Sequence, residues 1–162
     1  MPAEDAWSRA STMPRHAAGA ASAHHKDWGI IMGGGCCSDD GVAVTTTGED
    51  FRGLAPIPEA DSSFCVAGIN ASHIFATGLG PAEDNSYMFN AQSGEWSGLP
   101  KMPTGRSAMG CGVVRDGDGK ASVVVIGGYG HGEDTHHGYL DTVEIYSVEK
   151  KRWTTGKSTG LQ

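Results

Sequence analysis

Apolar residues fall in short runs that end on glycine, and the runs recur along the chain: Gly29-Ile30-Ile31-Met32-Gly33-Gly34, Ile74-Phe75-Ala76-Thr77-Gly78 and Val123-Val124-Val125-Ile126-Gly127-Gly128. Runs this short, bounded by turn residues, predict buried strands. A second set follows, Gly41-Val42-Ala43-Val44, Tyr87-Met88-Phe89 and Thr142-Val143-Glu144-Ile145-Tyr146, and predicts a further strand in each unit. Seven residues after the last apolar side chain of each comes an aromatic: Phe51 after Val44, Trp96 after Phe89, Trp153 after Tyr146. Seven residues after an aromatic comes a proline: Pro14 after Trp7, Pro58 after Phe51, Pro103 after Trp96. Trp7, Phe51 and Trp96 are 44 and 45 residues apart, while Trp153 follows Trp96 by 57. The third unit therefore carries about twelve extra residues. Eight of them fall between its second strand and its aromatic, and four enlarge a hairpin turn at 115–120.

A further strand is expected to start at each aromatic and end near the proline, whose missing N–H is tolerated at a sheet edge. The small-residue-rich stretch after the proline completes a unit of four short antiparallel strands. Such units, repeated at about 45 residues, predict the blades of a β-propeller. The pattern of apolar run, Gly-Gly, Tyr, six residues, Trp, then Met-Pro and Arg resembles the kelch repeat. Val125-Ile126-Gly127-Gly128, Tyr146 and Trp153, approached through Met102-Pro103-Thr104-Gly105-Arg106, match it best. Unit one has Val44 and Phe51 for Tyr and Trp, and unit two has Gly78-Leu79 for the double glycine and Phe89 for Tyr. The fold expected is all-β: a kelch-type β-propeller of about three four-stranded antiparallel blades, either a partial propeller or half of a six-bladed ring. The units run approximately over 15–58, 59–103 and 104–162, with 7–14 an extra outer strand and 1–6 an N-terminal tail.

Composition narrows the partners. The 25 glycines and 19% charged residues suit turns rather than long surface helices. A net charge of −7 with only 12 Lys and Arg excludes a phosphate-neutralising surface, so no nucleic acid is expected. No run approaches the roughly 20 apolar residues of a membrane span. The acidic start Met1-Pro2-Ala3-Glu4-Asp5 has neither the basic nor the apolar part of a secretory signal. Cys36, Cys37, Cys65 and Cys111 are too few and too irregularly placed to staple a small domain, and a reducing, cytoplasmic setting is expected. The sequon Asn70-Ala71-Ser72 matters only for a secreted chain.

In a four-stranded up-and-down blade, the loop between strands two and three shares a face with the connection to the next blade. That face is expected to carry Arg15, His16, Glu59, Asp61 and Arg106, together with the long loop Gly130-His131-Gly132-Glu133-Asp134-Thr135-His136-His137. Loops on a rigid scaffold concentrate recognition residues, so Arg15, His16, Asp61, Arg106, His131, Asp134, His136 and His137 form the expected binding surface. The histidine spacing matches no fixed metal motif. Asp116-Gly117-Asp118-Gly119 lacks the bidentate Glu of a calcium loop, Val125 standing at that position, and reads as a hairpin turn. No metal, cofactor or catalytic residue is therefore expected. The kelch resemblance implies a non-catalytic protein-protein interaction module within a larger assembly. The alternative is an enzyme, or part of one, with a metal or small-molecule site around His131, His136 and His137. Three blades leave terminal faces uncovered, which calls for a protein partner or a second copy completing the propeller.

Overall fold

The structure, a computed structural model, describes residues 20–33, 42–47, 50–59, 63–130 and 138–156. Among them are strands and turns but no helix. Blade 1 is the antiparallel sheet of β1 (Ala21–His25), β2 (Gly29–Gly33), β3 (Val42–Thr45) and β4 (Arg52–Gly53), in that order. Blade 2 comprises β5 (Cys65–Asn70), β6 (His73–Leu79), β7 (Asn85–Asn90) and β8 (Glu95–Leu99). A two-residue strand, β9 (Arg106–Ser107), leads into blade 3: β10 (Gly110–Arg115), β11 (Ala121–Ile126), β14 (Val143–Ser147) and β15 (Arg152–Thr155). Between β11 and β14 the chain forms β12 (Tyr129–Gly130) and β13 (Gly138–Tyr139), which join β9 in a small separate sheet. The extra residues of the third unit thus build a ribbon of their own. The expected outer strand at 7–14 lies outside the described residues.

The first strand of blade 2, β5, lies beside both β1 and β10, the first strands of blades 1 and 3, as inner strands fanned about a propeller axis do. The apolar core accordingly lies between blades. One cluster fills the space between blades 1 and 2 with Trp28, Ile31, Val44, Phe64, Val66, Ile74 and Phe89 among others. The other fills the space between blades 2 and 3 with Ile69, Phe75, Met102, Val123, Val125 and Tyr146. Blade 2 is covered on both faces, so β6 is buried from Ile74 to Leu79, whereas β11 in blade 3 alternates buried Val123 and Val125 with half-buried Val124 and exposed Ile126.

Trp96 and Trp153 occupy equivalent places. Each pairs across its hairpin with the repeat aromatic of the preceding strand, Phe89 and Tyr146, at ring-centroid separations of 5.3 Å. Each indole N–H donates to a carbonyl three residues ahead of a repeat proline, Trp96 to Ala55 (2.8 Å) and Trp153 to Pro100 (2.9 Å). Each outer strand is thereby tied to the exit of the blade before it. Phe51 departs from this pattern: Val44 pairs with Arg52 instead, and Phe51 precedes β4. A one-residue slip exchanges the faces of a strand. Without an indole N–H, Phe51 has no hydrogen bond to hold it in the tryptophan register. Trp28 fills the outer part of this blade boundary, edge-on to Phe89 at 6.3 Å, with the Arg52 guanidinium 5.9 Å from its ring centroid.

The cysteines also differ from expectation. Cys65 at the start of β5 and Cys111 in β10 are joined in a disulfide that links the inner strands of blades 2 and 3. Closing a stretch of 46 residues restricts the unfolded chain, a stabilisation of about 2–4 kcal/mol. Cys36 and Cys37 lie outside the described residues. The turn at 115–120 is a hairpin, as expected: Asp116 Oδ1 accepts from the backbone N–H groups of Asp118 (3.0 Å) and Lys120 (2.9 Å).

Candidate functional site

In blade 2 the connection between strands two and three meets the connections that enter and leave the blade. Gly80 N–H donates to Glu59 O (3.3 Å), Met102 N–H to Asp84 O (2.8 Å), and Arg106 N–H to Glu83 O (3.1 Å). Lys101 Nζ lies 3.0 Å from Asp84 Oδ1 and adds a surface ion pair across the same loops. Glu59 accepts from Asn85 Nδ2 and from Tyr87 OH, the latter at 3.3 Å. Desolvation and then the Glu59 charge raise the Tyr87 phenol above its ordinary value, keeping it the donor.

Arg106 is a fully buried structural residue, unlike the exposed binding group expected of it. Its side chain and that of Glu144 are 0% and 1% exposed, with Nη2 3.1 Å from Oε1. Nε donates to Thr104 O, Nη1 to Gly127 O and Thr142 O, and Nη2 to Thr142 Oγ1 and Glu144. Every N–H of the guanidinium is therefore satisfied. Burial lowers the Arg106 pKa from its ordinary value while the Glu144 carboxylate opposes that shift, and the guanidinium stays charged. Glu144 pairs in register with Val125 on the face where Tyr146 pairs with Val123, a surface otherwise apolar. A carboxylate there requires a cation, and Arg106 supplies it while anchoring three loop carbonyls. The sequence holds this signal in the inward register of Glu144, two residues before Tyr146.

Arg106 begins the ribbon β9-β12-β13, where Gly130 pairs with both Arg106 and Gly138, and Tyr129 with both Ser107 and Tyr139. Gly128 makes the approach possible: its φ is +97°, and a Cβ there would sit 2.6 Å from Ser107 O. The ribbon presents Tyr139, 95% exposed, with its ring edge-on to Tyr129 at 5.8 Å and 85°. The sequence carries no signal for this displayed aromatic pair, because tyrosines in a repeat protein read as core. Arg15, His16, Asp61, His131, Asp134, His136 and His137 lie outside the described residues. Among the described residues, no three His, Cys, Asp or Glu side chains converge as a metal site.

Concavities lie elsewhere as well. The inner strands line one of about 410 Å³ with His24, Ala67, Gly68, Cys111, Gly112 and Arg115. At the opposite end, between the hairpin turns of blades 2 and 3, Asn70, His73, Asn90, Tyr146, Val148 and Lys151 line one of about 290 Å³. No described helix is long and apolar enough to cross a membrane.

Residues 122–160, from β11 through β15, match the Kelch motif family. No curated protein matches the chain. Among solved structures, the one titled "Structure of YjhT" superposes with a TM-score of 0.71 at 13% sequence identity, over 94% of this chain and 54% of that one. The chain thus spans about half the length of that structure. Together with the four-stranded sheets, the likeness establishes the fold as a partial, kelch-type β-propeller.

Proposed function

We propose that this kelch-type propeller segment is a non-catalytic protein-interaction module, working within a larger assembly and reading a protein partner with its loop-bearing face. The observation that carries the reading is Tyr139, a large aromatic 95% exposed on a hydrogen-bonded ribbon whose base is pinned by a buried ion pair. A tyrosine has only two side-chain torsions to lose on binding, and tyrosine is enriched among the residues that dominate protein interfaces. Arg15, His16, Asp61, His131, Asp134, His136 and His137 are proposed to surround it, because chain order assigns their connections to the same end.

The flank of blade 3 that faces away from blade 2 is proposed to seat a further blade. Cross-strand pairing puts Val114, Val124, Ile126, Val143 and Ile145 on one face, away from blade 2. Val114 and Ile126 are 52% and 49% exposed, an apolar stripe of the kind a partner covers. A second copy of this chain, or blades from another protein, would complete the ring.

The test is affinity capture with the wild-type chain and with Tyr139→Ala. A partner held by the wild type and lost by the variant, at unchanged stability, is the expected outcome. Equal retention of that partner by both would remove Tyr139 from the interface and the reading with it.

A further inference from the structure

Two features left unused by the reading above meet on β5. One is the disulfide from its first residue, Cys65, to Cys111. The other is Asn70 at its last residue, which opens the sequon Asn70-Ala71-Ser72. We propose that Asn70 carries an N-linked oligosaccharide and that the protein matures in an oxidising compartment, in place of the reducing one that its cysteine count predicts.

The disulfide is the independent observation. Outside catalytic and redox-sensing sites, protein disulfides persist where thiols are not held reduced, and those are the compartments that secreted proteins traverse. Cys65 is buried and its bridge joins two inner strands at a blade boundary, as a structural bond does. In that setting the sequon becomes chemically relevant.

The local geometry suits the modification. Asn70 is exposed at the turn between β5 and β6. Its Oδ1 accepts from Ser72 N–H (2.9 Å) and Ser72 Oγ–H (3.1 Å) and lies 3.1 Å from His73 Nδ1. Its backbone carbonyl accepts from Trp28 Nε1 (2.7 Å). Nδ2 has no hydrogen-bond partner among the described residues, so bonding a sugar to it breaks nothing in the fold. In the transfer, Nδ2 bonds to the anomeric carbon of an oligosaccharide donated as a polyprenyl diphosphate. The carbon–oxygen bond to the diphosphate breaks, the diphosphate leaves with the bonding pair, and Nδ2 gives up a proton. The bridge forms as the thiols of Cys65 and Cys111 pass two electrons and two protons to a disulfide-bearing oxidant of the same compartment. The glycan would rest over the concavity lined by Asn70, His73 and Lys151, opposite the loop-bearing face, which stays open for a partner.

One digest reads both features. Trypsin under non-reducing conditions releases 53–101, holding Cys65 and Asn70, and 107–115, holding Cys111. For protein isolated from its own cells, the expected species is the two peptides linked, with Asn70 converted to Asp by peptide-N-glycosidase in isotopic water. Ser72→Ala expressed in those cells should keep the linkage and lose the conversion, whereas Ser72→Thr should keep both. Freely alkylated Cys65 and Cys111, or linked peptides with an unmodified Asn70, would overturn the proposal. Neither result bears on Tyr139, whose role is read separately by partner capture.

Discussion

Arg106 and Glu144 show what a charge needs in order to sit in an apolar boundary. Their mutual attraction alone would scarcely offset desolvation, and the four hydrogen bonds to loop oxygens make the arrangement tolerable. Removing one partner strands the other, so Arg106→Ala should cost about 3–5 kcal/mol in urea denaturation. Replacing both by Met should recover most of that loss while loosening the ribbon, read as faster amide exchange at Tyr129 and Gly130. Tyr146 offers a second test at this scale. Its hydroxyl is buried with no hydrogen-bond partner among the described residues, and burial raises its pKa above 10.0. The folded state therefore favours the neutral phenol. Its contribution is fully present below the unfolded value and is lost as pH rises through the folded one. Stability should fall on raising the pH from about 9 to 11. Tyr146→Phe should weaken that fall and match or exceed the parent at neutral pH, since it buries no unsatisfied hydroxyl.

At the scale of elements, burial of each strand follows from how many neighbours its blade has. β6 in the central blade has no exposed side, while β11 keeps the alternation of a sheet covered once. The connections obey steric rules that glycine substitution can expose. Gly128→Ala would force a Cβ against Ser107 O in a left-handed backbone and should cost at least about 2 kcal/mol by thermal or urea unfolding. Gly94 also has a positive φ, +73°, but nothing lies within 4 Å of its Cβ position, so Gly94→Asn should stay within about 1 kcal/mol of the parent. The apolar runs and the Tyr146 and Trp153 spacing made the blades legible because a repeated core repeats its pattern. Phe51 was misplaced because spacing alone carries no information on whether an N–H is present to hold the register. The ribbon stayed hidden because its strands are two residues long and lack any periodicity. Arg106 was visible as a repeat residue, but its burial depended on Glu144, distant in sequence and brought to it only by the sheet.

At the scale of the whole molecule, two inter-blade cores among the described residues serve the three four-stranded sheets, and the outer flanks are left to other contacts. Expressed as these 162 residues, the chain should associate through the Val114 and Ile126 stripe. Light scattering should report a mass above the monomer's, and Ile126→Glu should bring it down to the monomer value at unchanged secondary structure. The bridge between β5 and β10 has a mechanical consequence as well. When the chain is stretched from its ends in an optical trap, the residues enclosed by Cys65 and Cys111 are shielded from the load. Their separation of 46 residues corresponds to about 150 Å of concealed contour. Extension of the oxidised protein should therefore end short by that length, and a reductant added under tension should release it in a single step.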